Sequence, residues 1–221
     1  MTKATTTKKA TTKKAPPAAA AEINGQTLAL SFIEAAKVRQ EARTAAGADC
    51  KTIIADINAF NDSSFSRQLD KLVEKQYFTA DALAALAADM QVTSEKDNRF
   101  IGVKVITKIR TALEALALDQ KSDFDKYTNS ILHNLCKNQE LSNKSALVSL
   151  SKAIEYTQDE QEAHIVKLIN CSPSTASTQA SSSRMMMRAL GLANVTKRKS
   201  KDVITPADTP AARAVVAMYA L

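Results

Sequence analysis

Residues 171–201 read CSPSTASTQASSSRMMMRALGLANVTKRKSK, and how this stretch divides into elements decides the fold. Ser172 suits a helix N-cap, and Pro173 falls at the first helical position, where its missing N–H costs nothing. The helix can run from Pro173 to Leu190, with Gly191 placed to close it in a left-handed conformation. At about 3.6 residues per turn, Ser177, Ser181, Arg184 and Arg188 share one narrow stripe. Met186 and Leu190 lie opposite, flanked by Met187 and Ala189. One face carries hydroxyls and guanidiniums and the other is apolar, the division needed by a helix that enters a DNA groove. Small hydroxyl side chains allow close approach to phosphates, and arginine can bond guanine edges or phosphates.

Beyond the helix, Leu192–Thr196 has the composition of a short strand. Lys197, Arg198, Lys199, Ser200 and Lys201 form a basic turn, and Asp202–Thr205 can return as a second strand. Helix, strand, basic turn, strand is the element order of a winged helix, and residues 144–205 resemble winged-helix DNA-binding domains in that order. The resemblance implies a reading helix in the major groove and a wing, Lys197–Lys201, on the backbone or in the minor groove. The competing reading makes the arginines a solvated face and the three methionines plain core.

Charge is segregated along the chain. The net charge of the 221 residues is +7; residues 1–21 hold five lysines and no acid, and residues 172–221 hold seven Lys and Arg against Asp202 and Asp208. Basic ends therefore flank a mildly acidic middle, an arrangement that suits a polyanionic partner bound at the ends. With 45% hydrophobic residues a packed core is within reach, and only four glycines and five prolines favour helices over a β-sandwich. Aromatics at 5% and the absence of Trp leave little for base-stacking platforms. Three cysteines, Cys50, Cys136 and Cys171, without paired spacing argue against a disulfide framework and for an intracellular, reducing compartment, cytoplasmic or nucleoid-associated. No apolar run reaches transmembrane length, so no membrane role is expected. The first residues lack the apolar core of a secretory signal, and they have neither the arginines nor the apolar face of a transit peptide.

Residues 1–21, MTKATTTKKATTKKAPPAAAA, are low in complexity and cannot bury a core. This Lys/Thr/Ala/Pro tail, taken as residues 1–26, is similar in composition to linker-histone arms. Lys8, Lys9, Lys13 and Lys14 can displace counterions from any phosphate backbone; a solubility tail is the alternative.

From Thr27 helical spacing takes over. The pattern predicts helices over TLALSFIEAAKVRQEARTA, closed by Gly47, over CKTIIADINAF from Asp49, over FSRQLDKLVEKQYF after a capped turn at Asn61–Ser64, and over ADALAALAADM capped by Thr79. A strongly patterned helix follows over Asn98–Leu118. There Val103, Ile106, Ile109, Leu113 and Leu116 repeat at about 3.5 residues, giving either intramolecular core or a dimer seam. Ser122 is expected to cap DFDKYTNSILHNLCKN, and Asn143 to cap KSALVSLSKAIEY. Thr157–Glu160 reads as a capping box for a helix through Ile169, turning tightly into Pro173 as in a helix-turn-helix. Thr209 caps a closing helix, Pro210–Ala220, with Val215, Val216 and Met218 to dock.

Catalytic and metal chemistry find little here. His133, Cys136, His164 and Cys171 are spaced too widely for a structural zinc site. No nucleophile motif surrounds a Cys–His pair. Asp123/Asp125 and Asp159/Glu160 sit where helix N-termini favour acids, and Gly25, Gly47, Gly102 and Gly191 cannot make a phosphate loop. At least two of Met185, Met186 and Met187 belong in a core, since they point about 100° apart. The sequence therefore predicts a mostly α protein without enzymatic activity, metal or cofactor. It comprises a tail, a helical region 27–140 for homodimerisation or partner binding, and a winged-helix-like region 141–221 with a small β-hairpin. The expected activity is duplex DNA binding, as transcription regulator or nucleic-acid organiser. The alternative is a helical scaffold whose basic ends touch nucleic acid or acidic partners without specificity.

Overall fold

Short side-chain caps set most helix starts. The structure, a computed structural model, describes residues 23–154, 164–198 and 201–220. It begins with α1 (Gly25–Ala45), α2 (Lys51–Phe60), α3 (Ser63–Glu74) and α4 (Ala80–Met90). Asn24 and Thr27 exchange side-chain and backbone bonds as a capping box on α1. Asp62 accepts from Ser64 N on α3 and Thr79 from Ala82 N on α4. Gly25 is required by close approach: a Cβ there would stand 2.1 Å from the Ser66 carbonyl oxygen of α3. Phe32, Phe60 and Phe65 meet with ring centroids 5.0–5.7 Å apart and fix α1, α2 and α3 around one apolar centre.

Helix α5 (Val103–Leu118) runs through the middle of the molecule, packing on α2, α3 and α8 (Pro173–Ala189). Ile106, Ile109, Leu113 and Leu116 are fully buried within the single chain, as are Ala112 and Ala115. The stripe is thus spent on intramolecular core, and a dimer would need another surface. A 3-10 turn at Lys121–Asp123 leads to α6 (Lys126–Asn138), β1 (Leu141–Ser142) and α7 (Asn143–Val148). After α8 come β2 (Ala193–Arg198), β3 (Lys201–Pro206) and α9 (Pro210–Tyr219). The sheet is antiparallel in the order β1-β3-β2, with Leu141 opposite Ile204 and Val195 opposite the same residue from the other side. Helix α6 packs against α8, α9 and β3, and one apolar cluster extends from Leu28 to Tyr219. The regions before and after residue 140 share this core.

Several boundaries differ from the sequence reading. Helix α5 starts at Val103 rather than Asn98, because the Asp97 carboxylate takes the Arg99 N–H and guanidinium and holds a turn ahead of Gly102. Asp125, not Ser122, caps α6. Ser142, not Asn143, caps α7, which ends at Val148 instead of running to Tyr156. Serine hydroxyls explain that stop. Ser149 Oγ donates to Ala146 O, Ser151 Oγ donates to Cys171 O, and Cys171 N donates to Leu150 O, so the chain folds back on residues 165–171. The helix expected to reach Ile169 is absent from residues 165–170, which have no regular structure; its capping box lies outside the described residues. The tight turn from a helix ending at Ile169 into Pro173 is therefore not formed: residues 165–172 approach α8 without regular structure. Strand β1 has no counterpart in the sequence reading. Strand β2 extends to Arg198 and β3 begins at Lys201, which puts Lys197, Arg198 and Lys201 on strands rather than in a turn.

Candidate nucleic-acid interface

Helix α8 begins as the sequence indicates. Ser172 is the N-cap, its hydroxyl accepting from Thr175 N, and Pro173 is in the first turn. At the other end Gly191 adopts φ +61° and Thr209 Oγ1 donates to its carbonyl. The exposed residues Ser174, Ser177, Thr178, Ser181, Met185 and Arg188 repeat at i, i+3, i+4, i+7, i+11 and i+14, one stripe about 21 Å long. Met186 and Met187 are fully buried on the far side and Leu190 nearly so. Ala189, read as an apolar flank, is exposed. Ser177, Ser181 and Arg188 are thus where the sequence placed them, and Met185, 39% exposed, joins them.

Arg184 is held differently. Its Nη1 donates to Asn143 Oδ1 at the start of α7 (3.0 Å) and to Asp202 Oδ2 on β3 (3.1 Å), and its side chain is only 25% exposed. It ties three elements together at the edge of the stripe. On the hairpin, Lys197 stands opposite Asp202 and Arg198 opposite Lys201. Arg198 is paired with Glu140 at 2.6 Å, whereas Lys197 and Lys201 are exposed and meet no carboxylate within ion-pair distance among the described residues. Lys199, Lys8, Lys9, Lys13 and Lys14 lie outside the described residues. Arg188 borders a groove of about 370 Å³ shared with Asp89, Asn98, Phe100 and Met185, and it too meets no carboxylate within ion-pair distance among the described residues.

The buried side of α8 carries polar links that the helical wheel alone does not reveal. Ser183 Oγ and Thr128 Oγ1 of α6 share a hydrogen bond of 2.8 Å. Lys108 Nζ on α5 donates to Thr128 Oγ1 (3.3 Å) and to Asp125 Oδ1 (2.6 Å). Burial pulls the Lys108 ammonium below its usual lysine value, with the Asp125 charge acting against that shift. The signal for these links is that Ser183 falls on the same side of α8 as Met187, so a hydroxyl there needs an internal partner.

Of the residues weighed for metal or nucleophilic roles, Cys136 and His133 are packed against neighbours, whereas His164 is exposed. The Cys136 thiol is pushed up to about 11 by burial, which leaves it protonated and weakly nucleophilic at neutral pH. The His133 ring lies edge-on to Tyr219, whose hydroxyl donates to Asn129 Oδ1. Among the described residues no three His, Cys, Asp or Glu side chains converge, and no helix is long and apolar enough to cross a membrane. No protein-family model matches the chain, and no curated protein and no solved structure matches it.

Proposed function

We propose that this protein binds duplex DNA as a winged-helix-type module. Helix α8 enters the major groove, the β2–β3 hairpin follows the backbone, and the N-terminal lysines add sequence-independent affinity. The observation that carries the reading is the Arg184–Asp202 ion pair, which holds the hairpin against the edge of the exposed α8 stripe. Stripe and hairpin are thereby presented together to a single rod-shaped polyanion. The element order α8, β2, β3, with β2 and β3 paired antiparallel, adds support, because a helix followed by two returning strands is the order in which the chain resembles a winged helix. Within this reading Arg188 is the base-edge or phosphate contact, Lys197 and Lys201 are phosphate contacts, and Arg184 and Arg198 are positioning residues. Regulation of transcription and organisation of nucleic acid are both served by this geometry.

The test is selection from a pool of randomised duplexes with the full chain, since residues 141–221 alone would lack α6 and its share of the core. An enriched motif is the expected result for a regulator. Flat recovery with salt-sensitive binding indicates an organiser or a scaffold with basic ends, and no retained duplex overturns the DNA reading. Removing residues 2–21 should lower affinity for every duplex alike. It should also flatten the log–log salt dependence by about 0.9 for each phosphate that the tail neutralises.

A further inference from the structure

A second concave surface lies between α2, α5, α6 and the buried side of α8. It has a volume of about 380 Å³ and includes Lys104, Lys108, Lys126, Tyr127 and Gln179 in its wall. This is within the size range of small-molecule sites. Its electrostatics are one-sided: three lysines surround a single carboxylate, Asp125. Asp125 Oδ1 accepts from Lys108 and from the N–H groups of Tyr127 and Thr128, while its Oδ2 is buried without a hydrogen-bond partner among the described residues. Lys126 has its ammonium 5.1 Å from the Tyr127 ring centroid, and Lys104 meets no carboxylate within ion-pair distance among the described residues. Between these charges the wall is mainly apolar, with Tyr127, Thr52, Thr107 and Thr111 among its residues.

We propose that this pocket binds a small organic anion with a compact aromatic or apolar body, and that occupancy is felt by α8. Lys104 and Lys126 hold the anionic group, and the Tyr127 face supports the body. Two routes lead to α8. Gln179 belongs to it and lines the pocket, and Lys108, on the pocket wall, reaches Ser183 through Thr128. Any consequence for DNA affinity rests on the reading of α8 given above; the site itself does not.

The experiment titrates the isotopically labelled full chain with phenyl phosphate, without DNA, and follows amide resonances and calorimetry. Saturable binding with shifts at Gln179 and Ser183 is expected. The double variant Lys104→Gln/Lys126→Gln, at two exposed positions, should raise Kd about tenfold or more while melting like the parent, because both cations that hold the anionic group are removed. Lys71→Gln, an exposed lysine on α3, should leave Kd unchanged. Benzyl alcohol, which has the ring without the charge, should bind far more weakly. Absence of saturable binding, an equal loss in Lys71→Gln, equal binding of benzyl alcohol, or binding without shifts at Gln179 and Ser183 would overturn the proposal. Because no DNA is present, failure here leaves the DNA reading standing, and failure of the duplex selection leaves this site standing.

Discussion

The two ends of the molecule are held by different chemistry. Around α1–α4 the centre is apolar, with Phe32, Phe60, Phe65, Leu69, Leu72 and Leu83 all essentially inaccessible. Between α6 and α8 the interior is laced with hydroxyls and amides: Thr128, Ser130, Asn134, Ser149, Ser151 and Ser183 are all fully buried. Each of these has a partner. Ser130 Oγ donates to Ser149 O, Asn134 Nδ2 donates to Val166 O, and Asn134 Oδ1 accepts from Val166 N. An apolar centre gains stability in proportion to area and tolerates small shifts. A hydrogen-bonded one gains less per interaction but penalises any shift that leaves a group unpaired. The second arrangement suits a region that must hold a helix and a hairpin in one fixed relation while residues 165–170 have no regular structure of their own.

That contrast can be broken by substitution. Phe60→Ala should be the most damaging change, costing about 3–5 kcal/mol through the apolar surface removed and the cavity left among three rings. Denaturant titration should show a lower midpoint for the whole transition, since one core serves both ends. Asn134→Ala should cost less, about 1–3 kcal/mol, because it orphans the Val166 N–H and C=O. Its signature should be local: faster hydrogen exchange over residues 164–171, with α1–α4 unchanged. Ser183→Ala should cost about 1 kcal/mol, and a cycle with Thr128→Val should show coupling, because the two hydroxyls partner each other. Simple additivity of that pair would argue that the buried hydroxyls act independently.

The smallest effect concerns pH. Burial, followed by the charges of Lys137 and Lys121, lowers the His133 pKa in the folded chain below its usual 6.5. The unfolded chain therefore binds the proton more readily, and stability must fall as pH drops from 6.5 through the depressed folded value. His133→Gln should remove that part of the pH dependence. An unchanged slope in acid would mean that the ring is solvated in the folded state.

The same contrast explains what is legible in the sequence. Helices α1 to α5 announce themselves through apolar spacing and through punctuation at Thr79 and Gly47, because burial and periodicity there report one thing. The stripe on α8 is legible for the same reason, down to the buried Met186 and the exposed Ser177, Ser181 and Arg188. Residues 143–154 and 164–172 resist such a reading because serine and asparagine suit both helix caps and folded-back backbone. Only tertiary partners such as Cys171 O and Val166 N decide between these. The roles of Arg184 and Arg198 are hidden for a related reason: their acidic partners, Asp202 and Glu140, are 18 and 58 residues away in the chain.

The most direct measurement of the central claim is the affinity of Arg188→Ala for a selected duplex and for a scrambled one, at one fixed salt concentration, beside Lys197→Ala. Arg188 is exposed at the end of the α8 stripe, so its removal should leave the melting transition in place. If the stripe reads bases, Arg188→Ala should lose about 1–3 kcal/mol on the selected duplex and much less on the scrambled one, whereas Lys197→Ala should lose a similar, smaller amount on both. Equal losses on both duplexes for Arg188→Ala would make Arg188 a phosphate contact and the protein an organiser; no loss on either would contradict the account and leave α8 as a solvated face of a scaffold.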